Sequence, residues 1–157
     1  MKILKIQALR GPNIWSVQRK KLIQMRLDLE EMEQFPTNKI EGFRERIEAM
    51  FPTMIEHRCS EGCRGGFFSR VERGTWMGHV IEHIALEIQT LAGMETGFGR
   101  TRETKTPGVY NVVFSYTEEN VGLFAAESAV AIAESLIAGT EYDVEADIQK
   151  MREIRER

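Results

Sequence analysis

The sequence predicts an α+β fold, a single domain in which helices pack on a small mixed sheet. Three observations indicate this class. Strand-like segments rich in β-branched residues lie at 1–9 and 109–116, and a strongly helical segment lies between them at 75–91. Strands and helices do not alternate strictly, as they would in a βαβ fold. The length of 157 residues suits one domain around one hydrophobic core.

The first half of the chain predicts one clear strand and two helices. Residues 1–9 alternate loosely between apolar and polar side chains and predict a strand, which the turn-forming Gly11-Pro12-Asn13 ends. The middle of segment 15–29 is compatible with a strand or with a short helix. Residues 42–50 predict a helix, because apolar side chains recur at spacings of four and three. A short helix is expected at 69–72, after a glycine-rich turn.

The second half predicts a helix, a loop, a strand and two further helices. Residues 75–91 have the strongest helical pattern, and the polar segment 96–107 predicts a loop. Residues 109–116 predict a buried strand. An alanine-rich helix is expected over 118–137, where acidic residues at its start favour the positive end of the helix dipole. The charged tail at 144–157 is expected to be helical, and it has no terminal cap, which indicates a chain cut from something longer.

The composition indicates a soluble globular protein, with 42% apolar and 29% charged residues. The formal net charge of −3 argues against a dedicated nucleic-acid binder, since phosphate neutralisation needs a basic surface and Arg19-Lys20-Lys21 is too short a cluster to supply one. No segment approaches the roughly 18 to 20 continuous apolar residues of a membrane span, and the start does not resemble a signal peptide. We therefore expect a cytoplasmic protein without nucleic-acid or membrane partners.

Cys59 and Cys63 are the only cysteines in the sequence. Their spacing is compatible with a metal site, a disulfide or two separate thiols. His57 is the obvious additional ligand for a metal, but a complete zinc site needs a fourth ligand, and none is apparent. Because disulfides are uncommon in the cytoplasm, reduced structural or surface thiols are the favoured interpretation.

The strongest predicted helix carries two of the three histidines. Gly74-Thr75 predicts its N-terminal cap and Gly93 its end. His79 and His83 are four residues apart and lie on one helix face, so both imidazoles can reach one ion. With Glu82 between them they form H-x-x-E-H, the inverted zinc-hydrolase pattern. Neutral imidazoles suit zinc, and a carboxylate that is not a ligand can take a proton from water that the ion activates.

The same helix also has a purely structural interpretation. It is apolar enough to be buried, and its histidines could be core groups hydrogen-bonded to the backbone and to Glu82. Burying two histidines and a glutamate without a partner is costly, however. For a metal site, the third protein ligand must come from elsewhere: Glu127, a solitary carboxylate in an alanine-rich stretch, is favoured, and Glu119 is the alternative. Glu87 could join the histidine face or support the ligands from outside their shell.

The segment 97–104, with the sequence GFGRTRET, follows this helix. Its glycines allow a ligand to approach the backbone closely, and Arg100 and Arg102 offer forked donors to a carboxylate or phosphate. Glu103 can receive a guanidinium, so the segment suits a ligand that carries both charges, and Trp76 is predicted to contact the same ligand. The alternative is a solvated connection with internal Arg–Glu pairs. The residue order excludes a nucleotide-binding P-loop.

Four stretches, in order along the chain, carry a family resemblance: 9–16 (LRGPNIWS), 74–83 (GTWMGHVIEH), 97–104 (GFGRTRET) and 106–113 (TPGVYNVV). Together they resemble the amino-terminal domain of cyanophycin synthetases. The resemblance implies a domain over 1–140, similar in form to an inverted-zincin peptidase module. It also implies that 141–157 is a charged helical linker toward ligase domains that this sequence does not contain.

The resemblance further implies a role in making cyanophycin, a polymer with a poly-aspartate backbone and an arginine on each side-chain carboxylate. In that family an ATP-grasp domain adds aspartate and a Mur-ligase-like domain adds arginine, so ATP and Mg belong to those domains, and the full-length enzyme is expected to be a homo-oligomer. The amino-terminal domain would hold the growing polymer. In some members it resembles a zinc peptidase that cuts cyanophycin internally to make primers. Here His79 and His83 would bind zinc, and Glu82 would be the general base.

Three functions therefore remain open for the chain. The first is a metal-dependent hydrolase of cyanophycin, expected to be slow because rapid destruction of the product would be futile. The second is a polymer-binding module without chemistry of its own, and the third is a structural oligomerisation platform. Binding and hydrolysis are compatible, and the favoured interpretation combines them. Outside the family, the alternative is a small stand-alone metallopeptidase.

Overall fold

A computed structural model describes residues 1–16 and 21–157, and it confirms the predicted α+β class. The strands within these residues form one sheet in the spatial order β1-β2-β4-β3. They are β1 (Lys2–Leu9), β2 (Leu22–Asp28), β3 (Gly99–Glu103) and β4 (Val109–Ser115). Every pairing between them is antiparallel, where a mixed sheet was expected. Antiparallel neighbours need only a short connection, which residues 104–108 provide between β3 and β4.

The α-helices of the described residues lie mainly on one face of this sheet. They are α1 (Phe43–Met50), α2 (Gly66–Arg73), α3 (Met77–Leu91), α4 (Glu119–Ala138) and α5 (Val144–Glu156). The two longest, α3 and α4, pack against each other. α3 lies over β3 and β4, and α4 lies over β1 and β2. Their apolar side chains form the core with those of β2 and β4, and α1 and α2 extend this core beside them.

Two predicted element boundaries need correction. Segment 96–107 is not a continuous loop, because Gly99–Glu103 forms the edge strand β3. An edge strand with mostly exposed side chains lacks the apolar alternation that marks a buried strand, so its sequence resembled a loop. The N-terminal cap of α3 is Trp76, not Gly74-Thr75, and the Trp76 side chain makes no capping hydrogen bond. The hydroxyl of Thr75 instead contacts an imidazole, as described below.

Most of the remaining predicted elements agree with the structure. The strand at 1–9, the helices at 42–50 and 118–137 and the buried strand at 109–116 are confirmed. The uncertain segment 15–29 contains β2, the central strand that pairs with β1 and β4. Residues 17–20, with most of the basic cluster Arg19-Lys20-Lys21, lie outside the described residues. The short helix expected at 69–72 is longer and begins at Gly66 as α2.

Among the described residues, α4 is the one helix long and apolar enough to cross a membrane by length and composition. Of its most apolar 18-residue window, 61% is buried inside the domain. The small side chains of Ala125, Ala129 and Ala133 are fully buried and allow α4 to pack closely in the core. Its apolar surface therefore serves the interior of this domain.

The charged tail is helical, as predicted, and it packs on the rest of the domain. Ile148 and Met151 of α5 are buried in the core. Arg152 and Arg155 donate hydrogen bonds to the carbonyl oxygens of Leu91 and Gly93, at 3.1 and 3.4 Å. Cations are favourable at the C-terminal end of a helix, so α5 stabilises that end of α3. The boundary between a domain at 1–140 and a linker at 141–157 stays a prediction.

Candidate metal centre and cleft

His79 and His83 lie on one face of α3, as their spacing predicted, and their Nε2 atoms are 3.1 Å apart. Burial lowers the pKa of His79 to about 4, and the charge of Arg70 acts in the same direction. Burial also lowers the pKa of His83, and the two other histidines contribute. Both imidazoles are therefore neutral near pH 7, which is the form that binds a metal. The ring of Phe67 stacks on His83 with a centroid distance of 4.3 Å.

A third donor atom reaches the two histidines from Cys59. Its Sγ lies 3.1 Å from Nε2 of His79, and the ligand atoms of Cys59, His79 and His83 all lie within 4.8 Å of one another. Donors around a tetrahedral zinc ion are roughly 3.3 to 3.8 Å apart, given zinc–nitrogen and zinc–sulfur bond lengths, so these atoms fit one ion with little movement. Thiolate and imidazole together are a donor set that zinc prefers.

The backbone around Cys59 explains how the thiol reaches α3. Cys59 begins the 3₁₀ turn Cys59–Glu61, and its φ of 54° lies in the left-handed region, which is uncommon for a residue other than glycine. The turn folds closely against the start of α2, since a Cβ at Gly66 would lie only 2.1 Å from the carbonyl oxygen of Arg58. The N–H of Phe67 then bonds to the carbonyl oxygen of His57 at 3.1 Å. The strained residue is thus held in place by α2.

Glu82 lies next to the metal-ligand candidates and is only 6% exposed. The hydroxyl of Thr101 in β3 donates a 2.6 Å hydrogen bond to its Oε2. Burial raises the pKa of Glu82 to about 7, although the Thr101 hydrogen bond and the charge of Arg102 act in the opposite direction. A carboxyl group with a pKa near 7 can both accept and return a proton at physiological pH.

These groups line an open cleft of about 1340 Å³ between α3 and β3, and the predicted substrate-binding residues line it too. Trp76 is 40% exposed, and its indole N–H donates to the carbonyl oxygen of Glu33 at 2.7 Å. Arg102 donates to the carbonyl oxygen of Thr101 at 2.9 Å. The guanidinium of Arg100 lies 5.6 Å from the centroid of the Phe98 ring. The fourth residue, Glu103, is exposed at the end of β3.

Comparison with known proteins identifies a family for this chain. The family model described as the cyanophycin synthase-like N-terminal domain matches residues 24–138, well over half of the chain. The chain belongs to this family. It is 52% identical over 157 residues to a cyanophycin synthetase of Synechocystis sp. and 53% identical over 156 residues to one of Geminocystis herdmanii. Each alignment covers 98% or 99% of the chain but only 18% of the relative. A cyanophycin synthetase of Trichormus variabilis, also 52% identical, is covered to 17%.

In this member of the cyanophycin synthase-like family, the carboxylates expected as a third ligand lie elsewhere. Glu127 is exposed on α4, and Glu119 at the start of α4 forms an ion pair with Arg10. The structure therefore places Cys59, and not a glutamate of α4, beside the histidines. Cys63 is exposed, and neither cysteine forms a disulfide.

Residues outside the H-x-x-E-H pattern surround its histidines. Nδ1 of His57 lies 2.9 Å from Nδ1 of His83, and Nε2 of His57 lies 2.7 Å from Oε2 of Glu87. Sequence reasoning considered His57 only beside the cysteines and favoured an incidental role for both thiols. One signal was available: the chain has three histidines and two cysteines, and His57 and Cys59 are two residues apart. Spacing alone could not connect this pair to α3.

Proposed function

We propose that this domain binds cyanophycin and cuts it internally at a slow zinc-dependent hydrolase site, which would supply short primers for synthesis. One observation carries the proposal: the ligand atoms of Cys59, His79 and His83 lie within 4.8 Å of one another, and these residues line the same open cleft as Glu82. Three protein ligands are the usual number in a catalytic zinc site, because they leave a coordination position for water or substrate. The donor set and its spacing fit zinc, as argued above.

When bound, zinc would polarise the carbonyl group to be cut and acidify the attacking water. Glu82 is then the general base that takes the proton of this water and passes it to the leaving amine, so that one amide bond and one water molecule become a carboxyl group and an amine. Oε2 of Glu82 accepts the hydrogen bond of the Thr101 hydroxyl, which leaves Oε1 for the proton transfer. The hydrogen bond from Thr101 also keeps the carboxylate from rotating away.

The cleft also offers contacts to a polymer that carries both charges. Arg100 and Arg102 can bind the carboxylate at the end of the polymer backbone, and Glu103 can bind an arginine side group. Trp76 can stack on a guanidinium, since its ring is partly exposed and its N–H is held by Glu33. These contacts favour the second candidate function as well, a polymer-binding domain without chemistry.

The wider setting is proposed from the relatives, which are named cyanophycin synthetases. We propose that in such an enzyme the domain works beside an ATP-grasp domain and a Mur-ligase-like domain, which would use ATP and Mg. The full enzyme would be a homo-oligomer in the cytoplasm. Hydrolysis would be slow relative to synthesis, because a fast hydrolase would consume the polymer that the ligase domains make.

The decisive experiment incubates the 157-residue chain with purified cyanophycin, with and without a chelator, and follows the polymer length. We expect shortening that the chelator stops and that Glu82→Gln slows by about 100-fold or more. Glu153→Gln, the same substitution at an exposed position of α5, should cut like the wild type. A zinc-loaded chain that binds the polymer but never shortens it would establish the non-catalytic alternative. Shortening that persists in chelator would exclude the metal mechanism.

A further inference from the structure

We propose that Glu87, His57 and Thr53 form a relay that holds His83 in its metal-binding tautomer, with the proton on Nδ1 and a bare Nε2. These are positioning residues, since they would act on the metal through its ligand His83. The inference rests on the proposed metal site, but it does not depend on hydrolysis of the polymer. Supporting hydrogen bonds of this kind orient metal-bound histidines and strengthen metal binding.

The relay is a continuous row of contacts that runs from exposed Thr53 through buried Glu87 and half-buried His57 to the metal centre. Thr53 hydrogen-bonds through its hydroxyl to Oε1 of Glu87, and the other oxygen, Oε2, lies 2.7 Å from Nε2 of His57. Nδ1 of His57 lies 2.9 Å from Nδ1 of His83. On the far side of this ring, Nε2 of His83 faces Nε2 of His79. Glu87 is 4% exposed, so little water competes for these contacts.

The direction of each hydrogen bond follows from the carboxylate of Glu87. An ionised carboxylate can only accept hydrogen bonds. Nε2 of His57 must therefore carry a proton and donate a hydrogen bond to Glu87. Burial opposes ionisation of Glu87, but the hydrogen bonds from His57 and Thr53 outweigh it and lower the pKa of this group. With its ring proton on Nε2, His57 has a bare Nδ1, which accepts. The facing Nδ1 of His83 must then donate, which leaves its Nε2 as the free lone pair.

His79 lacks such a constraint. Its Nδ1 lies 3.0 Å from the hydroxyl oxygen of Thr75, which can either donate or accept. In the metal-free protein, the bare Nε2 of His83 accepts a hydrogen bond from the Nε2–H of His79 across 3.1 Å. Metal binding at Nε2 then requires the proton of His79 to move to Nδ1, and the Thr75 hydroxyl can turn to accept it. The tautomer of His83 is therefore fixed before the metal binds, whereas the tautomer of His79 changes when it binds.

The test is a tautomer measurement by long-range proton–nitrogen NMR on the metal-free chain and on the chain titrated with zinc. The chain has only three histidines, which makes the assignment tractable. We expect Nδ1–H for His83 and Nε2–H for His57 in both states. His79 should change from Nε2–H to Nδ1–H when zinc is added. Nε2–H on His83 in the metal-free protein would overturn the proposal, whether or not the domain cuts polymer.

A second measurement compares zinc affinities of substituted chains in a competition with a chromogenic chelator. Glu87→Gln keeps the shape of the side chain, but its amide nitrogen can donate to His57 and so permits the reverse order of protons. We expect its zinc affinity to fall roughly 10- to 100-fold and His83 to populate both tautomers. Glu153→Gln should bind zinc like the wild type. Unchanged affinity and an unchanged His83 tautomer in Glu87→Gln would show that the relay has no effect.

These outcomes separate the relay from the proposed hydrolase. A chain that binds zinc with the expected tautomers but leaves cyanophycin intact would remove the hydrolase and retain the relay. Chelator-sensitive cleavage together with Nε2–H on His83 in the metal-free chain would remove the relay and retain the hydrolase.

Discussion

A Cβ atom placed on Gly99 would lie 2.4 Å from Oε1 of Glu82, closer than these two atoms can approach. The same strand holds the other oxygen of this carboxylate, because Thr101 donates to Oε2 at 2.6 Å. The edge strand β3 therefore both orients Glu82 and leaves it the room that it occupies. The GFGRTRET segment contributes to the proposed chemistry through its backbone as well as through its charges.

Gly99→Ala should therefore impair cleavage without removing zinc. The new methyl group displaces the Glu82 carboxylate from its place beside β3, and a displacement of about 1 Å in a reacting group can cost roughly 100-fold in rate. Chain-shortening rates and the zinc content of the purified variants would be measured together. Gly97→Ala is the matched control, since a Cβ at that position meets nothing within 4 Å. Equal cleavage by the two variants would contradict the assignment of Glu82 as the base.

Cys59→Ala should lose zinc, whereas Cys63→Ala should retain it. Only Cys59 places its sulfur beside the histidines, and Cys63 is exposed. We expect the affinity to fall by more than the roughly 10- to 100-fold that the loss of an outer supporting group costs. Metal analysis after dialysis against a weak chelator would measure this. If Glu127→Gln released zinc and Cys59→Ala kept it, the third ligand would be the carboxylate that sequence alone favoured.

The metal-free domain should lose part of its stability as pH falls below 6.5. The pKa of His79 is lowered from 6.5 to about 4 in the folded protein, mainly by burial, so between these values the unfolded chain binds more protons. The contribution is fully present above pH 6.5 and is lost as pH falls through 4, which amounts to about 3 kcal/mol. The lowered pKa of His83 adds a loss of the same sign.

Urea unfolding of the metal-free chain at several pH values would measure this effect. Glu82 contributes with the opposite sign, because its pKa is raised to about 7 and the folded state binds its proton first on acidification. The comparison is therefore between the wild type and His79→Gln, in which the loss from pH 6.5 to 4 should be smaller. Identical pH dependence in the two chains would show that His79 is not held neutral by the fold.

Arg102→Ala should weaken cyanophycin binding, and the remaining affinity should depend less on salt. Arg102 is exposed at the cleft beside Glu82, where it can meet a carboxylate of the polymer. An exposed contact of this kind contributes up to about 1 kcal/mol, so a several-fold loss is expected. Co-sedimentation with the polymer at two salt concentrations would measure it. Lys150→Ala, an exposed cation on α5, is the control, and an equal effect there would indicate nonspecific attraction.

Local sequence patterns predicted most of the architecture. The helical pattern within 42–50 and 75–91 was recognisable because neighbours on a helix face are three or four residues apart. The helix at 118–137 was recognisable from its alanine content and its acidic start. The buried strand β4 was recognisable from its β-branched residues. The edge strand β3 was not, since its side chains are mostly exposed and its backbone pairing with β4 leaves no periodic signal.

The sequence by itself determined the α+β class, the family resemblance and the placing of His79, Glu82 and His83 on one helix. These depend on residues that are adjacent or one helical turn apart, where chain geometry is known in advance. Only the tertiary structure brings Cys59 beside the histidines, places His57 in contact with both Glu87 and His83, and places Thr101 of β3 against Glu82. Such contacts join residues 19 or more positions apart in the sequence. Packing of the elements, and not the periodicity of the sequence, brings these residues together.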